Sequence, residues 1–199
     1  MGDTVVIHLI RHEKTQANIE RKYIGWTDEP IIRDHNQFIL PIQPKKVYGS
    51  DLIRCEQTSR LYFPDADYEG SKGLRELDFG DFEMKTYYQI KDNIHYQNWI
   101  DSPRDFTPPN GESFESFRER ILSTIFRIVT QPSEYTFVVH GGVVRLLRSL
   151  FGPDDESFQQ ISVNHREILT LTWANVSNLK GGQRCESLLV EPIMVKEIS

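Results

Sequence analysis

The chain opens on an apolar run, Thr4-Val5-Val6-Ile7-His8-Leu9-Ile10, with little of the alternation expected of a strand with one wet face. β-Branched residues in a run of that length predict a strand buried on both sides. Lys45-Lys46-Val47-Tyr48-Gly49-Ser50 predicts a second strand, and 51–63 then shows helical spacing through Leu52, Cys55, Thr58 or Ser59, and Tyr62. Residues 71–80 predict a strand leaving into a glycine-containing turn, and 86–101 a helical stretch through Tyr87, Ile90, Ile94 and Trp99. A loop at 104–113, marked by Pro-Pro-Asn-Gly, precedes the clearest helix, 113–129. There Phe114, Phe117, Ile121, Ile125 and Ile128 recur at steps of three and four. A buried strand at 135–142 and a helix at 143–151 follow. Late strands are predicted at 161–173 and 184–193, with a turn between them at Leu179-Lys180-Gly181-Gly182-Gln183.

Strands that alternate with helices imply βαβ units and a mainly parallel sheet, hence an α/β fold. Ligands in such sheets bind beyond the carboxyl ends of the strands. The chain of 199 residues shows no repeat, low-complexity tract or interdomain linker and reads as one domain, 1–199. Its net charge of −6 argues against nucleic acid as a partner, though a local arginine cluster could still bind an anion. No stretch approaches the ~20 apolar residues of a membrane span, and the N-terminal run is too short for a signal peptide. Two cysteines far apart, Cys55 and Cys185, match no metal spacing and suggest free thiols in a reducing, cytoplasmic setting.

Two strand ends carry the candidate chemistry. Arg11-His12 follows the first strand, and His140-Gly141-Gly142 follows the 135–142 run into a helix. A guanidinium presents a planar fork suited to phosphate oxygens, and a helix N-terminus aims free N–H groups at an anion. Arg54 in the first turn of the 51–63 helix and Glu76 in the 71–80 segment lie beyond two further strand ends. Alone, Arg54 reads as a solvated arginine and Glu76 as a surface or salt-bridge residue. His8 and His12 are four apart, but on a strand they do not share the face that a helical metal pair needs. His8 is expected to pack on the sheet and His165 to serve a turn. His35 and His95 have no chemistry-bearing neighbours.

Taken together, Arg11-His12…Thr15…Asn18, Tyr23-Ile24-Gly25-Trp26-Thr27-Asp28, Ser50-Asp51-Leu52-Ile53-Arg54, Leu74-Arg75-Glu76-Leu77-Asp78-Phe79-Gly80, Pro109-Asn110-Gly111-Glu112-Ser113 and Val139-His140-Gly141-Gly142 resemble the ordered motifs of the phosphoglycerate mutase-like histidine phosphatase superfamily. The resemblance covers nearly the whole chain and is greatest to the phosphatase branch, the α-ribazole-5′-phosphate and broad-specificity phosphatases. It implies a three-layer α/β/α sandwich and metal-independent phosphomonoester hydrolysis on a small phosphorylated metabolite. His12 would become a phosphohistidine, with Arg11, Arg54 and a protonated His140 around the transferred group. Glu76 would act as acid and then base, and Thr15, Asn18, Gly25 and Gly141 would help to bind substrate. No cofactor or metal is implied.

Two departures complicate that expectation. Glu13 and Lys14 follow His12 where a phosphate loop would more naturally carry glycine and a neutral or acidic residue. Residues 31–46 contain Pro41 and Pro44 where relatives carry a long amphipathic helix, so one helical layer is expected to be trimmed. That trimming could bare an apolar sheet face, leaving monomer or homodimer open. Two alternatives therefore remain: mutase-type phosphoryl transfer, or a phosphate-binding module that has lost its chemistry. A Glu13 carboxylate directed into the pocket would favour the second; one turned toward a cation would not.

Overall fold

A computed structural model describes residues 3–34 and 36–196; His35 lies outside them. The first apolar run forms β1, Val5–Arg11. A single turn α1 (Gln16–Ile19) follows, then a two-residue strand β2 (Phe38–Ile39), β3 (Lys46–Ser50), α2 (Ile53–Tyr62) and β4 (Asp67–Ser71). Next come α3 (Tyr87–Ile90), α4 (Ile94–Asp101), α5 (Phe114–Ile128), β5 (Glu134–Val139) and α6 (Gly141–Phe151). The chain ends with β6 (Glu167–Trp173), α7 (Val176–Lys180), β7 (Ser187–Pro192) and β8 (Met194–Val195).

Six strands make the central sheet in the order β4-β3-β5-β1-β6-β7. The first four are mutually parallel, and β6 and β7 join antiparallel. This is a mostly parallel α/β fold flanked by helices, as the alternation predicts. On β1, Val5, Ile7 and Leu9 face one layer while Ile10 faces the other, so the run is apolar on both sides. The α5 stripe of Phe114, Phe117, Ile121 and Ile125 packs with Val143, Leu146 and Leu147 of α6 on the first face. Each such buried side chain stabilises the fold by about 1.5–3 kcal/mol.

The second face is covered by α2 and an extended strap. The two prolines exclude a helix over 31–46, and the segment instead alternates, with Phe38, Leu40 and Ile42 turned inward against Ile10, Val47, Tyr62 and Val138. Ile39, Pro41 and Gln43 are exposed. β2 is held by pairing with β8. The trimmed layer is therefore replaced, not left bare, beside the carboxyl ends of the strands. Toward the other end of that face the sheet turns polar, with His8 donating to or accepting from Thr170 at 2.9 Å. A cavity of about 510 Å³ opens there, lined by His8, Ile42 and Glu134 among others, far from the strand ends that carry the motifs.

Three boundaries differ from the sequence reading. The strand expected over 71–80 lies upstream as β4, and the segment itself is a 3-10 turn (Lys72–Leu74) followed by loop. Gly80 at φ +50° ends it in a conformation foreign to strands. Residues 161–166 precede β6 as a turn, with Arg166 at φ +62°. The turn expected near Lys180 is the short helix α7, capped by Asn175, whose side chain accepts from Asn178 N.

Candidate active site

Parallel pairing of β1 with β5 sets the site. Arg11 lies opposite Val139, so the residues that follow, His12 and His140, leave the sheet side by side. The His12 amide donates to Val139 O at 2.9 Å, and the two imidazole centroids are 5.2 Å apart. His12 is 3% exposed. Its Nδ1 donates to Glu13 O at 2.7 Å, which leaves the Nε2 lone pair free. Burial, then the charges of Arg54 and Arg11, hold His12 well below the ordinary imidazole range. The ring is thus neutral at pH 7, the state a nucleophile requires.

Arg54 is fully buried in the first turn of α2. Its Nη1 and Nη2 donate to Thr27 O (2.8 Å) and Gly25 O (2.6 Å), and its Nε reaches His140 Nδ1 at 3.3 Å. That contact makes His140 Nδ1 an acceptor, and its Nε2 faces Cys55 Sγ at 3.6 Å. Burial, then Arg54, His12 and Arg11, pull the His140 pKa well down. Desolvation beside two guanidiniums thus favours the neutral imidazole at His140. Arg11 donates through Nη1 to Val163 O at 2.9 Å, while its buried Nε has no partner.

Glu76, 7% exposed, reaches the same place from the opposite side. Its Oε2 accepts from Gly142 N at 2.7 Å and its Oε1 from Leu77 N at 2.9 Å. A Cβ on residue 142 would lie 2.1 Å from Glu76 Oε1, so glycine there is a condition of that approach. The backbone behind Glu76 is pinned: its carbonyl accepts from Trp26 Nε1 (2.9 Å) and Arg120 Nη2 (3.1 Å). Arg120 also bonds Gly73 O and Arg75 O and is paired with Glu112 of the Pro-Asn-Gly-Glu-Ser loop.

The remaining sequence candidates divide. Thr15 and Asn18 cap α1 reciprocally, the Thr15 amide donating to Asn18 Oδ1 and the Asn18 amide to Thr15 Oγ1. Asn18 also lines the cavity beside Arg11. Gly141 starts α6 against the Arg11 side chain. Gly25 is closely packed: its carbonyl accepts from Arg54, its amide donates to Glu83, and a Cβ would meet Leu77 O at 2.1 Å. It helps to fix Arg54.

Glu13 is buried and turned away from the pocket. Its carboxylate accepts from Tyr62 Oη and from Arg166 Nε (2.8 Å), not from Lys14. Arg166 is paired in addition with Asp34 of the strap. The same turn brings His165 to donate from Nδ1 to His12 O at 2.7 Å, its centroid 5.9 Å from that of His12. Burial, then Arg11, push His165 down to about 4. Among the described residues no group of three or more His, Cys, Asp or Glu could hold a metal ion.

The model of the histidine phosphatase superfamily (branch 1) matches residues 7–179. The chain belongs to that family. An adenosylcobalamin/α-ribazole phosphatase of Escherichia coli (strain K12) is 31% identical over 152 residues, covering 70% of this chain and 75% of the relative. The crystal structure of the α-ribazole phosphatase from Shigella flexneri superimposes with a TM-score of 0.69 at 26% identity, covering 83% of this chain and 89% of that one. Bacillus stearothermophilus YhfR matches in fold, with a TM-score of 0.72 at 24% identity over 84% of this chain and 90% of the other. The family assignment makes the chain a phosphatase-type hydrolase.

Sequence reasoning did not find several residues that shape the site. Gly142 and Arg120 hold Glu76; Glu83 binds the amides of Gly25, Trp26 and Thr27 and so fixes the loop that holds Arg54. Arg166 and Asp34 anchor Glu13. Gly142 belongs to the His140-Gly141-Gly142 motif, and only its contact with Glu76 escaped. Arg120 and Glu83 act on backbone atoms far away in sequence, which leaves no local pattern.

Proposed function

We propose that the chain hydrolyses a small phosphomonoester through a phosphohistidine on His12, without a metal. The observation that carries this is the His12 ring: Nδ1–H is tied to Glu13 O and Nε2 is free, in a buried site flanked by Arg11 and Arg54. His12 Nε2 attacks phosphorus, the bond to the alcohol oxygen breaks, and that oxygen takes a proton from Glu76. Water then attacks the phosphohistidine, Glu76 accepts its proton, and the P–N bond breaks to return His12 and inorganic phosphate. Arg11 and Arg54 offset the charge on the phosphoryl oxygens, the task a metal performs elsewhere. His140 gains a proton as the dianion enters, since the dianion opposes the effect of the two guanidiniums.

Two features support hydrolysis over mutase transfer or a lost activity. The segment between Glu76 and Asn110 is compact, without the insertion that would keep water from a phosphohistidine. Glu13 is turned onto Arg166, so its charge does not oppose a phosphate. The names of the relatives make α-ribazole 5′-phosphate the first substrate to test, and we place the enzyme in the cytoplasm as a monomer or homodimer. The buried free thiols of Cys55 and Cys185 fit a reducing compartment. Among the described residues no helix is long and apolar enough to cross a membrane.

The test is turnover of an aryl phosphate in EDTA, with capture of acid-labile phosphoprotein. The wild type is expected to turn over and His12→Ala to lose activity by about a thousandfold or more. Turnover that needs added metal, or survives in His12→Ala, sinks the mechanism.

A further inference from the structure

We infer that His165 is a positioning residue for His12: by holding the peptide that follows His12, it keeps the imidazole proton on Nδ1 and the lone pair on Nε2. This rests on the phosphatase reading and adds to it the group that prepares His12 for attack. The His12 ring donates to the carbonyl of the very next residue, Glu13 O, at 2.7 Å. So local a contact depends on the backbone between its two ends, because a tilt of the His12–Glu13 peptide carries Glu13 O away from the ring. Three hydrogen bonds fix that backbone. His12 N donates to Val139 O at 2.9 Å, Glu13 N donates to Thr58 Oγ1 at 2.9 Å, and His12 O accepts from His165 Nδ1 at 2.7 Å. The first two partners belong to the sheet and to α2, and His165 grips the carbonyl end of the peptide.

The chemistry and the local backbone both suit His165 to that task. Its acceptor is a carbonyl oxygen, so Nδ1 carries the proton. Burial, then the charge of Arg11, hold its pKa at about 4, so the ring donates without adding a cation beside His12. The turn it belongs to meets the 11–13 segment residue by residue: Val163 O accepts from Arg11 Nη1, His165 bonds His12 O, and Arg166 pairs with Glu13. In an extended chain neighbouring side chains point to opposite sides. Arg166 at φ +62° breaks that alternation, and His165 and Arg166 both reach the same short stretch. Thr58 cannot take over the carbonyl, since its hydroxyl proton is committed to Arg54 O at 2.7 Å. Among the described residues His165 is the one donor to His12 O. Once it is removed the peptide is free to tilt, and nothing keeps the ring proton off Nε2. A ring protonated there has no lone pair to offer phosphorus.

The experiment compares His165→Ala with His165→Asn, whose side-chain amide nitrogen can stand close to the place of Nδ1. Nitrogen-15 NMR of histidine-labelled protein reads the His12 tautomer, assigned by the signals lost in His12→Ala. In the wild type and in His165→Asn the proton is expected on Nδ1; in His165→Ala it should be shared with Nε2. The value of kcat/KM, which reports attack on phosphorus whatever step limits kcat, should fall about 10–100-fold in His165→Ala. The fall should be the same for aryl and alkyl phosphates, unlike a loss of the acid, and the Kd of inorganic phosphate should not weaken. His165→Asn should recover most of the rate. If His165→Ala does not fold, His165→Leu, which fills the site without a donor, takes its place. An unchanged tautomer, a rate that Asn fails to restore, or a loss confined to phosphate binding overturns the inference. A wild type inactive on every ester, but with a His12 tautomer that still depends on His165, defeats the hydrolytic reading alone.

Discussion

The proposed nucleophile and the proposed acid are held in different ways. Glu76 sits on a loop fixed through backbone groups: Trp26 and Arg120 bond its carbonyl, and the amides of Leu77 and Gly142 bond its carboxylate. His12 sits on a loop fixed by charge, in which Glu13, Arg166, Asp34 and Tyr62 form one buried-to-surface network. The first arrangement fixes both the backbone and the carboxylate of the proposed proton-transfer group. The second clamps three segments that lie far apart in the chain, and so bears more on whether the pocket forms than on what it does.

Substitutions can separate the two supports. Glu76→Gln should have the largest effect, slowing turnover about 10²–10⁴-fold for alcohols with poor leaving ability and less for nitrophenol. A leaving-group series read as kcat checks this, and an equal loss across the series removes Glu76 from the acid role. Gly142→Ala follows, because the new methyl must displace Glu76; a fall of roughly 10–100-fold in kcat with unchanged folding is expected. Glu13→Gln should instead lower stability by about 2 kcal/mol, seen as a Tm drop of roughly 4–8 °C, with kcat within about tenfold of wild type. A large loss of kcat without loss of stability would show that the two supports are not distinct.

The smallest effect is on pH. His8, His12, His140 and His165 all have lowered pKa values, led by burial. Below about 6.5 the unfolded chain takes up protons that the folded one refuses, so stability is retained above that pH and falls as pH drops. For His165 the window runs from about 6.5 to about 4. The melting temperature is expected to fall as pH drops from 7 to 5. Glu13→Gln should add to that loss, while Gly142→Ala should leave its slope alone.

Much of this was legible in the chain itself because buried strands and strand-end motifs write local patterns. The run at 4–10 and the stripe on α5 are periodic signals, and they place His12 and the core correctly. The strap was legible only as a broken helix: Phe38-Ile39-Leu40-Pro41-Ile42 alternates as an extended segment, but the alternation is too short to outweigh its prolines. The 71–80 segment misled because Leu74, Leu77 and Phe79 pack into the core from a loop and so imitate the apolar positions of a strand. Glu13 could not be placed at all from its neighbours, since its partners Tyr62 and Arg166 lie 49 and 153 positions away.

The register that sets Arg11 opposite Val139 has a kinetic consequence. β5 inserts between β3 and β1, so His12 has no neighbour until a strand more than 120 residues later has paired. Closing so long a loop is slow and entropically costly before any reward arrives. A chain still emerging from the ribosome can therefore carry His12, Arg11 and Arg54 without any pocket to join them. The proposed reactivity toward phosphate esters therefore requires the middle of the sheet to be complete.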